Sequence, residues 1–193
     1  MKRSLVLDFC LESTIPGVLA AYDVENNEEL KKEKLIKAVL HKAKTDANRG
    51  TRSAPVGFIG NVGGRLFAEK RLCDILKDEN GADLSSNTLI STLQKMKGAP
   101  SHAFIQKFVN MTLKYIIVLQ ELKDGIPGIY VDEKQCDCPI DSVIVDCVNK
   151  RRKKQFLCWT KQGQSEYYEI QEVIKSKYEI PLEYDFVHWR SPK

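Results

Sequence analysis

The chain has 193 residues, of which 42% are hydrophobic and 29% charged, so it is long enough to bury one core without disulfides or metals. Its basic start meets Asp8 and Glu12 before any long apolar region, which argues against a secretory signal peptide. The six cysteines are therefore predicted to be reduced thiols in the cytoplasm or the nucleus.

The N-terminal quarter combines an apolar segment with a lysine-rich one. Residues 4–11 fit either a buried strand or a short helix. A cap at Asn26 and Asn27, followed by two acids, predicts a helix that continues to about Ala47. Its apolar stripe is narrow and lysines cover most of the rest, so this helix has a cationic face.

The segment from Asn48 to Arg65 reads as a loop, with five glycines and three arginines. Glycines leave backbone N–H groups accessible, and Arg49, Arg52 and Arg65 can add charge-assisted contacts to a phosphate. The segment matches neither a Walker A motif nor the GxGxxG fingerprint. A plain connector is the alternative interpretation.

Three helices are predicted next. The first runs from Leu66 to Lys77 and is ended by Asn80-Gly81, and the second runs from Asp83 to Lys97 after a cluster of capping residues. The third, between Pro100 and Lys123, is apolar on two adjacent faces and is predicted to be the buried centre of the fold. Its interspersed polar residues argue against a membrane span.

After Gly125 the β-branched content rises. Residues 129–131, 142–148 and 155–160 are predicted strands, the last two joined as a hairpin. A helix over 167–178 and a closing strand or docked tail over 184–189 complete the chain. The predicted fold class is α+β, with a helical part (residues 1–125) and a β-rich part with a C-terminal helix (126–193) that share one core.

The run from Lys150 to Lys154 is the sharpest local feature. Five consecutive cations at a hairpin tip repel one another unless they are solvated or meet an anion, which points to a phosphate-bearing partner. A nuclear import signal and a charged turn that blocks edge association are the alternatives.

Zinc and catalysis have weaker signals. Structural zinc needs four ligands, usually in paired knuckles, whereas this chain has one CxC and two isolated cysteines. No metal, cofactor or catalytic set is predicted, and the histidines lie far apart in the sequence. The weak zinc candidates are Cys136, Cys138, Cys147 and Cys158.

Charge segregation suggests the function. From Lys31 to Arg71 there are eleven basic residues and three acidic ones. The leading hypothesis is a non-enzymatic regulatory or structural protein that binds RNA or DNA largely through phosphate contacts. The predicted contact residues are Lys34, Lys37, Lys42, Arg49, Arg52, Arg65, Lys150, Arg151, Arg152, Lys153 and Lys154.

Two alternatives stay open. One is a protein-interaction or assembly module, including a homo-oligomer, whose basic run serves nuclear targeting or membrane contact. The other is an enzyme that holds a phosphate-bearing substrate in the Gly-rich loop. An enzyme of this kind requires a cleft in which Arg65 meets a carboxylate, a cysteine or a histidine.

Overall fold

The computed structural model describes residues 27–49, 62–78, 83–150 and 155–188, together with Val6. Within these residues the chain forms seven α-helices and two short 3-10 helices, Glu133–Gln135 and Trp159–Lys161. The α-helices are α1 (Glu28–Asn48), α2 (Val62–Lys77), α3 (Ser86–Gln94), α4 (His102–Leu122), α5 (Ser142–Asn149), α6 (Gln164–Lys175) and α7 (Pro181–His188).

The predicted central helix is confirmed as α4. Ser101 caps it by accepting a hydrogen bond from the Phe104 N–H, and every residue from Ala103 to Leu119 is buried. The helix contacts α1, α3, α6 and the second 3-10 helix. A helix covered from so many sides needs apolar residues on more than one face, which is the pattern that the sequence carries, and its buried polar residues need partners.

The N-terminal helices agree with the sequence in type and differ in their bounds. Asn27 caps α1 as predicted, and its side chain accepts the Leu30 N–H at 3.1 Å. Helix α2 begins at Val62, so the loop predicted up to Arg65 ends earlier than expected. The rest of that loop and the predicted Asn80-Gly81 cap lie outside the described residues.

The predicted β-sheet is wrong, because the part of the chain that the structure describes contains no strand. Residues 142–148 form α5, which Asp141 caps by accepting the Ile144 N–H. The buried residues of α5 are Ile144, Val145, Val148 and Asn149, at a helical spacing that burial favours over intrinsic β propensity.

The other predicted strands are replaced by irregular segments and a helix. Residues 126–131 form one isolated bridge between Ile126 and Ile129, and residues 155–158 lead into the second 3-10 helix. The predicted closing strand or tail is α7, which starts at Pro181, a residue suited to a first helical position. Consequently the fold is not α+β, and the segment after residue 125 is not β-rich.

Amide side chains supply the hydrogen bonds that a sheet would have made. The side chain of Gln106 bonds both the N–H and the C=O of Ile140, at 3.2 and 3.0 Å. Three further pairs repeat this two-bond arrangement: Gln120 with Val131, Asn149 with Phe156, and Gln171 with Cys138. Buried irregular backbone is satisfied in this way without a neighbouring strand.

The buried apolar residues form one cluster with members on both sides of residue 125. Helices α5, α6 and α7 pack on one another, and α1, α2 and α3 contact in sequence. Among the described helices, none combines the length and apolar character that a membrane span needs. The division of the chain into two parts stays a prediction.

Candidate nucleic-acid interface

Two ion pairs fix how α1 and α2 lie together. Lys44 contacts Glu69 at 2.6 Å, and Lys77 contacts Glu33 at 3.3 Å. The earlier residue of α1 is therefore paired with the later residue of α2, so the helices run antiparallel. The last turn of α1 consequently lies beside the first turns of α2.

This arrangement concentrates positive charge at one end of the helix pair. Residues 42–49, which are the end of α1 and its C-cap Arg49, and residues 65–71 of α2 together contain six basic side chains and two carboxylates, Asp46 and Glu69. We call this region the basic end. Its cations are Lys42, Lys44, Arg49, Arg65, Lys70 and Arg71.

Asp46 organises the α1 side of the basic end. Its carboxylate contacts Lys42 at 2.7 Å and Arg49 at 3.3 Å, and it accepts a hydrogen bond from the Tyr115 hydroxyl of α4. Burial, and then the Asp46 charge, raise the pKa of Tyr115, so this phenol stays protonated and donates. One buried carboxylate thus orients two cations at the surface.

The basic end also has incomplete internal hydrogen bonding. Within the described residues, four buried side-chain nitrogen or oxygen atoms have no hydrogen-bond partner. Three of them are here: Asp46 Oδ1, Asn48 Oδ1 and Arg65 Nε. Asp46 Oδ1 nevertheless lies 3.3 Å from the Arg49 guanidinium, and Arg65 Nε is the one hydrogen-bond donor of the three.

The predicted contact residues of α1 divide into two groups. Lys42 and Arg49 lie at the basic end, whereas Lys34 and Lys37 are exposed and precede it by about two turns and about one and a half turns of helix. Lys37 pairs with Glu33 at 2.9 Å. Arg52 lies outside the described residues. Lys70 and Arg71 were not among the predicted contact residues, although both belong to the basic stretch that the sequence identified.

The second predicted basic region is described only at its first residue. Lys150 is exposed and follows α5, while residues 151–154 lie outside the described part of the chain. Burial lowers the pKa of His188, and the nearby charges of Lys150 and Lys177 lower it further. Two lysines from different segments, Lys150 and Lys177, therefore lie near a neutral His188, and the predicted hairpin around Lys150 is wrong.

Consecutive residues of α4 link the two basic regions. Tyr115 bonds Asp46 of the basic end, and the neighbouring Lys114 forms a buried ion pair with Asp185 of α7. His188 lies one helical turn after Asp185. The end of α1 and the C-terminal helix thus pack on adjacent sides of α4.

The cysteines give zinc no support. Cys136 and Cys138 are buried, Cys147 is half-buried and Cys158 is exposed. Burial raises the pKa of both buried thiols. No group of three or more metal-ligating side chains occurs among the residues that the structure describes.

A cleft of about 210 Å³ lies between α2 and α3 and bears on the enzyme alternative. Its charged lining consists of Arg71, Asp74, Asp78 and Asp83, and Arg65 is not part of it. The Thr88 hydroxyl and the Ser85 N–H bond the Asp83 carboxylate and lower its pKa. The enzyme hypothesis requires a cleft in which Arg65 meets a catalytic group. This cleft does not meet that requirement, because Arg65 does not line it.

No family model, curated protein or solved structure shows a significant match to this chain. The case for a function therefore rests on the side chains and their arrangement.

Proposed function

We propose that this protein is a non-enzymatic nucleic-acid-binding protein that holds phosphates with the basic end of the α1–α2 pair. The observation that carries the proposal is an excess of positive charge. Six cations lie at the same end of the α1–α2 pair, and the same residues include two carboxylates. Such a local excess attracts a polyanion and binds it through counterion release.

The exposed cations of α2 make the direct contacts in this proposal. Lys70 and Arg71 lie on the solvent side of the helix, while Lys44 and Lys42 are half-buried in ion pairs with carboxylates. Paired cations still contribute to the long-range field, but a phosphate must compete with their carboxylates. Lys70 and Arg49, which is 67% exposed, therefore rank first as phosphate contacts, whereas Arg71 also lines the cleft that contains Asp74, Asp78 and Asp83.

The test is a salt titration of binding to labelled single- and double-stranded RNA and DNA. The Lys70→Gln/Arg71→Gln variant removes two exposed cations from the basic end. If both contact phosphates, the slope of log affinity against log salt becomes shallower by about 1.5 to 2.

A matched control separates location from net charge. The Lys95→Gln/Lys97→Gln variant removes two exposed cations beyond α3 and is expected to leave the slope nearly unchanged. No binding at low salt, or equal effects of both variants, would contradict the proposal. The protein-interaction module would then become the leading hypothesis.

A further inference from the structure

The exposed side of α2 carries two large apolar side chains beside its cations. Leu66 is 58% exposed and Phe67 is 61% exposed, which places both side chains largely in solvent. Lys70 and Arg71 follow Phe67 by three and four residues, so they project from the same side of the helix. An aromatic ring and two cations thus share one exposed surface at the basic end.

The composition of this surface favours one kind of occupant. A second copy of the chain docking symmetrically would bring Lys70 and Arg71 against their own counterparts, and like charges disfavour that contact. Among the described residues, an anionic membrane would meet two apolar side chains on this surface, whereas interfacial helices bury a broad apolar face. A single nucleic-acid strand is complementary to this surface, because its bases present flat faces to the ring and its phosphates present negative charge to the cations.

We propose that Phe67 is a base-stacking residue for single-stranded nucleic acid, with Lys70 and Arg71 on the flanking phosphates. The inference rests on the proposed function and adds the class of strand. A ring in solvent can stack on an unpaired base, whereas the bases inside a duplex already cover one another's faces. Leu66 extends the apolar surface beside the ring.

The experiment compares strands that carry equal charge. Binding of the full chain is measured for an oligo(dT) strand, for an abasic strand of the same length and for a duplex. Phe67→Ala is expected to weaken oligo(dT) binding on the order of tenfold and to leave abasic-strand binding unchanged. Phe67→Trp is expected to retain or strengthen oligo(dT) binding.

Two controls keep the interpretation specific. Tyr130→Ala removes another exposed aromatic ring, 77% exposed on the 126–131 segment, and is expected to change nothing. Because Phe67 is mostly in solvent, circular dichroism and thermal melting of Phe67→Ala are expected to match the parent protein.

The outcomes separate this inference from the proposed function. Binding that is equal for oligo(dT) and abasic strands, and unaffected by Phe67→Ala, overturns the stacking role and leaves phosphate binding in place. Absence of binding to every strand overturns both. Phe67-dependent binding to vesicles of phosphatidylcholine with about one-third phosphatidylserine, without Phe67-dependent binding to oligo(dT), would make this surface a membrane contact.

Discussion

Buried polar side chains in this core are held by specific partners. The Ser86 hydroxyl donates to Asn110, the Asn110 amide donates to the Tyr167 hydroxyl, and that hydroxyl donates to Asp137. Lys175 contacts the other Asp137 oxygen at 3.0 Å. A chain of satisfied bonds of this kind fixes how α3, α4 and α6 meet, since any slip leaves a buried group unpaired.

Two lysines of α4 are buried with partners that offset the loss of hydration. Lys114 pairs with Asp185, and Lys107 contacts Asp141 at 3.4 Å while lying 4.5 Å from the centre of the Trp159 ring. Burial raises the pKa of Asp185, although the charge of Lys114 opposes this shift. The sequence marked these lysines only as interruptions of an apolar helix.

His102 is a neutral histidine at the start of α4. Its ring packs edge-on against Tyr167 with the centroids 5.1 Å apart, and its Nδ1 contacts the amide of Gln94. Burial lowers the pKa of His102 to about 4. No carboxylate among its described contacts is available to stabilise the imidazolium.

This histidine makes stability depend on pH. The unfolded side chain binds a proton below about pH 6.5, whereas the folded one does so only below about pH 4, so unfolding takes up a proton between these values. Stability is therefore expected to fall from pH 6.5 to pH 4, by about 2 kcal/mol from His102 after a discount for its partial exposure. Urea unfolding across this range measures the effect.

The His102→Gln variant isolates the contribution of this residue. It keeps a hydrogen-bonding group near Gln94 but has no proton to gain, so its free energy of unfolding should fall less over the same range. Carboxylates titrate equally in both proteins and cancel in the comparison. Identical pH dependence of the two proteins would show that His102 is not buried as described.

At the scale of elements, the segments after α4 are held by side chains in place of a sheet. Gln106, on buried α4, bonds both backbone groups of Ile140. Truncating it leaves a buried N–H and a buried C=O without partners. Gln106→Ala is expected to lower the free energy of unfolding by about 2 to 4 kcal/mol.

A control distinguishes this arrangement from a general effect of losing glutamine. Gln135 is exposed at the end of the first 3-10 helix, and Gln135→Ala is expected to change stability by no more than about 0.5 kcal/mol. Denaturant unfolding compares the two variants with the parent. A Gln106→Ala cost as small as that of Gln135→Ala would mean that the amide does not hold this segment.

Helix α5 shows why the sequence predicted a strand where the structure has a helix. Val143, Ile144 and Val145 are β-branched and consecutive, which is typical of a buried strand and also fits a short buried helix. The deciding facts are the Asp141 cap and the packing of α5 against α6 and α7. The local sequence pattern does not predict how elements that are distant in sequence pack together.

At the scale of the whole molecule, the sequence predicted the hub, and some of the contact residues that it predicted belong to the proposed site. A two-faced apolar helix such as α4 can hardly be placed anywhere except the core, so its pattern alone was sufficient. Lys42, Arg49 and Arg65 lie at the same end of the helix pair, but that follows from the antiparallel pairing of α1 with α2. The exposure of Phe67 could not be predicted from the sequence either, because it depends on how α2 packs against the other helices.

Nucleic acid is expected to cover one end of the molecule. Six cations of the basic end and the exposed Phe67 ring lie on α1 and α2, whereas Lys95 and Lys97 lie beyond α3. The central claim therefore concerns where nucleic acid binds on the molecule and not how tightly it binds. An amine-reactive reagent reports on it directly, because a lysine in contact with phosphate is shielded from modification.

The decisive measurement is lysine footprinting of the full chain by mass spectrometry, with and without saturating single-stranded oligonucleotide at low salt. The reactivity of Lys70 is expected to fall several-fold, while that of Lys95 and Lys97 stays constant. Unchanged reactivity at Lys70, or stronger protection at Lys95 and Lys97, would contradict the placement of the interface on the basic end.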